Sequence, residues 1–398
     1  MVPVIYPDTK LIDYNEFESK YDTHINIKTV FLRNKPYNQK YTMIKKYYRL
    51  IGIATIIATT SFTPINANNA IVADSITPQE NATGEQQAKR RRRPMFDAQN
   101  PNVHDPVMAY ENGKYYIFAT GNGIQVMSST DMKTWSPEKS VFDKAPQWAT
   151  ELIKGYWGHT WAPDIIYANG MWHLYYSCST FGKNTSAIGL AVNKTLDPKS
   201  PDFKWEDRGL VISSEGGKNN WNAIDPNIII DKKGTPWLNW GSFWDGIQLV
   251  KLQKNMQTPV SDKSKTISRR HDIRKSKRGG NPVEAPFIIK RGKYFYLLVS
   301  FDYCCKGLQS NYKVAIGRSK KVEGPYKDKE GNLMEYGGGT ILAGPNEEYA
   351  GIGHCSAYEF NGKWYIVAHA YSKKHNGASK LYIKEMKFDK EGWPTIKE

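Results

Sequence analysis

At 398 residues the chain can hold one large domain or two, and its 40% hydrophobic content is ordinary for a globular protein. Its formal charge of +16 is confined to two stretches: residues 1–94 carry 14 basic and 8 acidic residues, and residues 251–293 carry 13 and 3, which together account for the surplus. That distribution excludes a uniformly basic, aromatic-lined groove, so no nucleic-acid partner is expected.

Residues 1–42 are polar, mixed in charge and without periodicity, and read as an upstream extension or tail. From Met43 a basic start (Lys45, Lys46, Arg49) leads into the apolar run Leu50 to Ala58 and then to small residues around Ala67 and Ala70. This is the layout of a signal peptide over 43–70, and it predicts export, to a secreted or periplasmic location. The apolar run is too short for a stable membrane span. Residues 71–94, rich in Asn, Gln and Thr and ending in Lys89-Arg90-Arg91-Arg92-Arg93, have a linker composition that cannot bury a core.

From residue 95 to 398 one pattern recurs. A short apolar run meets a glycine turn and continues as an aromatic run: Asn112-Gly113 before Tyr115-Tyr116-Ile117-Phe118, Asn169-Gly170 before Trp172-His173-Leu174-Tyr175-Tyr176, Gly234 before Trp237-Leu238-Asn239-Trp240, Gly292 before Tyr294-Phe295-Tyr296, and Asn361-Gly362 before Trp364-Tyr365-Ile366. Aromatic and β-branched runs split by Asn-Gly or Gly turns are hairpin signals. Five copies about sixty residues apart predict an all-β fold, a five-bladed β-propeller.

Counting back about eight residues from each turn glycine reaches one slot, filled by Asp105, Ala162, Asp225, Glu284 and His354. If that slot opens each blade's inner strand, symmetry gathers these side chains at one end of the central axis. Grouped carboxylates suit glycoside hydrolysis, which needs a protonated acid for the leaving oxygen and an ionised partner for water or carbon. A third carboxylate raises the acid's pKa by like-charge repulsion. Spacing across the axis leaves room for a water and favours inversion.

The four cysteines, Cys178, Cys304, Cys305 and Cys355, lack zinc-site spacing. They are expected to be free, buried thiols, the adjacent pair being awkward to bridge. The basic run Lys263 to Arg278 is expected to be a solvated insertion. Most aromatics are expected between blades, with Trp157, Trp161, Phe243 and Trp244 as candidates for stacking on sugar rings.

The stretch from about Asn102 to Pro394 resembles glycoside hydrolase family 43, and within it the endo-acting α-1,5-L-arabinanases. The resemblance is carried by Val103-His104-Asp105-Pro106, Trp161-Ala162-Pro163-Asp164-Ile165, Ser179 to Ser186, Asn222 to Asn227, Gly241-Ser242-Phe243-Trp244, Glu284 to Ile288, Ser300 to Cys305 and Gly337 to Thr340. It implies an inverting hydrolase of internal arabinan linkages with Asp105 as general base, Glu284 as general acid and Asp225 as the carboxylate that tunes and orients the acid. It further implies sugar subsites along Asp105, Asn184, Asn222, Ala223, Ile224, Asp225, Ser242, Phe243 and Trp244, and a central calcium ion held through His354. One departure from the family pattern is Ile352 in Gly351-Ile352-Gly353-His354, where proline is expected. The partner is then arabinan or its oligosaccharides, and the chain is expected to act as a monomer.

Overall fold

The computed structural model describes residues 96–275 and 280–396. The expected extension, signal peptide and linker over 1–94 lie outside the described residues. Among the described residues no helix is long and apolar enough to cross a membrane.

The described chain forms five antiparallel sheets in sequence order, a five-bladed β-propeller as the repeats predict. Blade I runs through Val107–Glu111, Lys114–Ala119, Gln125–Ser129 and Ser136–Glu138. Blade II uses His159–Ala168, Met171–Cys178, Ser186–Asn193 and Glu206–Ser214, with the short strand Gly121–Asn122 added beside its inner strand. Blade III uses Asn227–Ile230, Pro236–Trp240, Ile247–Lys251 and Lys265–Ser268. Blade IV uses Val283–Arg291, Tyr294–Phe301, Lys313–Ser319 and Thr340–Ala343. Blade V uses Tyr349–Phe360, Lys363–Ser372, Ala378–Phe388 and Pro394–Ile396.

The middle strands are buried on both faces because each sheet packs between two others. Met171–Cys178 and Ser186–Asn193 are apolar almost throughout for that reason. Tyr175, Leu190, Leu238 and Trp240 fill the space between blades II and III, and Leu249, Leu297, Val299 and Phe301 that between III and IV. Met108, Ile117, Met127 and Val367 join blade I to blade V. The ring is closed by both ends of the propeller. Asn102 pairs with Lys380 on the free edge of blade V's third strand, whose other half is covered by Pro394–Ile396.

Two expectations are corrected here. The described part of the basic run, residues 263–275, is not a free insertion: Lys265–Ser268 is the fourth strand of blade III, and Arg269 is buried with its guanidinium bidentate on Asp245, at 2.9 and 3.0 Å. Arg270 bonds Asp302 at 2.9 Å and lies 4.7 Å over the Phe301 ring. A planar guanidinium matches a carboxylate and an aromatic face at once, so sequence charge here becomes structural cement. Cysteine is the second. Cys178 and Cys355 are free and buried as expected, whereas Cys304 and Cys305 form a vicinal disulfide on a partly exposed loop where Cys305 takes positive φ.

Candidate active site

Each blade has one residue with left-handed backbone just before its inner strand or at a bulge near the axial end of it. These are Asp105 (φ 54°), Ala162 (φ 36°), Asp225 (φ 57°), Ala285 (φ 55°) and His354 (φ 47°). The conformation costs energy for any residue with a Cβ. It is held because each amide has a fixed acceptor on the preceding blade. Ala162 N–H donates to Thr120 Oγ1 (2.8 Å), Asp225 N–H to Ser177 Oγ (3.0 Å), His354 N–H to Ser300 Oγ (2.7 Å) and Asp105 N–H to His369 Nδ1 (3.1 Å). Blade III has Gly241 at the corresponding place, and there the Asp225 carboxylate itself accepts the Ala285 N–H, at 3.1 Å.

The slot is therefore occupied by Ala285, with Glu284 one residue before it, which corrects the count from the turn glycine. In blades I, II and V the glycine is the second of two turn residues, after an asparagine that is also left-handed. In blade IV the turn is Gly292-Lys293, with glycine first, so the count slips by one. Glycine-first is the preference of the type II′ turn, asparagine-glycine that of type I′.

The three acids nonetheless meet at the axis, and their surroundings separate their roles. Asp105 bonds the Thr120 hydroxyl and faces His354 Nδ1 at 2.9 Å and His369 Nδ1 at 3.5 Å. Burial would raise its pKa, but His354, His369 and His104 together hold it well below the usual carboxylate range, so it is ionised. Glu284 is buried with both oxygens occupied: Ser242 Oγ donates to Oε2 at 2.7 Å and Tyr312 Oη to Oε1 at 2.8 Å. Its pKa is raised, first by burial, with Asp105 adding to it and these hydroxyl bonds opposing. Asp225 is pushed up to about 8, again first by burial, with Glu284 and Asp105 adding to it against the opposing charge of His354. His354 rises to about 9 because Asp105 and Asp225 outweigh its burial. One ionised and two readily protonated carboxyls share the site.

The remaining predicted residues divide into walls and supports. Phe243 and Trp244 lie on the loop after blade III's second strand, both with positive φ, and Trp244 is 40% exposed. Trp157 is 68% exposed and stacks on His159, whose Nδ1 accepts the Trp161 Nε1–H at 2.9 Å. By contrast Asn222, Ala223 and Ile224 are buried. Asn222 Oδ1 receives the Ser186 hydroxyl, and Asn184 spends its amide hydrogens on the carbonyls of Asn219 and Trp221, at 3.0 and 3.2 Å. Asn184 thus fixes the segment leading to Asp225.

Residue-by-residue reading missed Tyr312 and His369 as members of the site. His369 is fully buried, its Nε2 has no partner, and it joins His104 and Asp105 in a group whose ligating atoms lie within 4.8 Å of one another. Around His354 the donors are imidazoles and a single carboxylate already bonded to its neighbours. A hard cation prefers oxygen, so this set accommodates calcium only as a largely water-held ion.

A propeller that gathers at its axis one carboxyl of lowered pKa and two of raised pKa has the parts of a glycoside hydrolase. Residues 97–394 match glycosyl hydrolases family 43, and the chain belongs to that family. It is 45% identical to an extracellular exo-α-(1→5)-L-arabinofuranosidase of Cellvibrio japonicus, covering 76% of this chain and 88% of the relative. It is 42% identical to an extracellular endo-α-(1→5)-L-arabinanase of Bacillus subtilis, over 75% of this chain and 89% of that one. Among solved structures, an exo-1,5-α-L-arabinanase from a bovine ruminal metagenomic library superposes with a TM-score of 0.74 at 60% identity, covering 76% of this chain and 99% of the other.

Proposed function

We propose that this chain hydrolyses α-1,5-linked L-arabinofuranose chains with inversion of the anomeric carbon, releasing short products from a chain end. The observation that carries the chemistry is the contrast in surroundings: Asp105 faces His354 and His369, whereas Glu284 is buried between the hydroxyls of Ser242 and Tyr312. Ionised Asp105 takes a proton from water as its oxygen bonds the anomeric carbon. Glu284 gives its proton to the departing glycosidic oxygen as the old C–O bond breaks. Asp225 positions the acid: its Oδ2 accepts the Ala285 amide and so fixes the backbone next to Glu284.

The exo mode is supported by the 60% identity to an exo-1,5-α-L-arabinanase. Endo cleavage, which the sequence motifs suggest, is the second reading and is supported by the 42% identity to the endo-acting Bacillus relative. A product time course on linear debranched arabinan separates them. One short product accumulating from the outset supports the exo mode, and a ladder of oligosaccharides with a sharp viscosity drop supports the endo mode. No product at all would sink both.

Export is part of the proposal, supported by the relatives named extracellular and by the signal-like segment over 43–70. Calcium is proposed as a water-held ion beside His354, where it would supply positive charge to the neighbouring carboxylates. Dialysis against EDTA should lower both melting temperature and turnover, with calcium restoring them. An enzyme indifferent to EDTA would remove the ion from the proposal.

A further inference from the structure

We propose that Tyr312 is a positioning residue for proton donation by Glu284, and that Gly353 is a glycine because the tyrosine ring must lie against it. This rests on the hydrolytic reading above. Tyr312 enters from blade IV, just before the third strand, and is fully buried. Its ring stacks on His369 with centroids 5.7 Å apart and planes at 25°. On the other side it meets the inner strand of blade V. A Cβ at Gly353 would overlap the Tyr312 ring, and one at Gly351 would come within 2.7 Å of Ser310 Oγ and 2.9 Å of Tyr312 N. The Ile352 N–H donates to the Tyr312 carbonyl at 3.0 Å, locking backbone as well as ring. The vicinal-disulfide loop covers the same side, since Cys304 packs on the cluster of Tyr312, Ala350 and Tyr371.

A hydroxyl held this firmly fixes the carboxyl it touches. Tyr312 Oη donates to Glu284 Oε1 at 2.8 Å. While Glu284 keeps its proton, this bond joins two neutral groups. As Glu284 loses that proton to the leaving oxygen, the same bond meets the negative charge appearing on Oε1. The bond strengthens as the proton leaves, which is the condition for lowering the barrier rather than tightening substrate binding.

The test is Tyr312→Phe, which keeps the ring and its packing. Wild-type turnover of linear arabinan tests the hydrolytic reading on its own. If Tyr312 acts through Glu284, kcat on arabinan should fall about 10–100-fold, the range for a lost hydrogen bond to a charged group, with KM and melting temperature unchanged. An aryl arabino-oligoside with 2,4-dinitrophenolate as leaving group needs no acid, and its rate should change by less than about threefold. Equal losses on both substrates would make Tyr312 merely structural and overturn the proposal. So would an unchanged rate on arabinan. Gly353→Ala, which displaces the ring, should reproduce the split between the two substrates, and equal losses there would count against the proposal in the same way.

Discussion

Asp105 and Glu284 show how neighbours divide like groups: burial raises both carboxyls, and only Asp105 has histidines close enough to reverse the direction. The working form requires Asp105 ionised and Glu284 protonated. Asp105 lies far below the ordinary range and Glu284 above it, so activity should persist into mildly acidic solution and fall as pH rises through the raised Glu284 value. A kcat/KM profile with no alkaline limb would contradict this. Glu284→Gln should abolish turnover of arabinan while oligosaccharide binding, measured by calorimetry, survives. Asp225 makes a different prediction. Its folded pKa of about 8 exceeds the ordinary aspartate value of 3.8, so the folded state favours the neutral acid and stability is progressively lost as pH rises between those values. Asp225→Asn is neutral at every pH and can still accept the Ala285 amide. It should therefore melt higher than the wild type, by a margin that is small near pH 4 and grows towards pH 8, while turnover drops. A margin independent of pH would mean that Asp225 is not the buried titrating group.

At the scale of the strand, the site is made by a repeated backbone device, and only part of it is legible in sequence. The Asn-Gly turns, the aromatic runs and the acids of Asp105 and Asp225 stand at readable intervals, which is why five blades and an axial cluster follow from the letters alone. The Gly292-Lys293 turn hides a shift of one residue, because either turn position can carry the glycine. His369 and Tyr312 stay hidden for another reason. His369 lies in blade V's second strand and meets Asp105 only through closure of the ring, while Tyr312, beside blade IV's third strand, reaches Glu284 across its own blade; no local spacing marks either. Arg269 is obscured by composition, since one buried arginine in a run of exposed cations looks like the rest. The device itself is testable at Ser177, fully buried, whose hydroxyl receives the Asp225 amide. Ser177→Ala leaves that buried N–H without its acceptor. It should cost about 1–3 kcal/mol of stability. Turnover should suffer too, because Asp225 is released from its left-handed backbone. A variant as stable and active as the wild type would show that strain at this slot is sustained by packing instead.

For the propeller as a whole, the two ends of the ring share one edge, and Asp105, the proposed base, sits immediately beyond it. Val103 N–H donates to the Ser379 carbonyl at 3.2 Å and Leu381 N–H to that of Pro101 at 3.0 Å. The Ser379 hydroxyl returns a bond to the Val103 carbonyl at 2.6 Å, and Lys380 Nζ reaches the Asn100 carbonyl at 2.8 Å. Val103 is itself buried. Two residues on, the Asp105 amide is held by His369 of the same blade V. Closing the ring and placing the base are therefore one event. Four hydrogen bonds at about 1 kcal/mol each and one buried valine at about 1.5 kcal/mol put the closure near 4–6 kcal/mol. A chain beginning at His104 should accordingly melt roughly 10 °C lower than one beginning at Phe96. Its kcat should fall even well below that temperature, since Asp105 is then anchored from one side only. If the melting point drops while kcat holds, the His369 contact alone positions the base. If neither moves, blades I and V are joined by their apolar contacts, and the shared edge contributes nothing to either property.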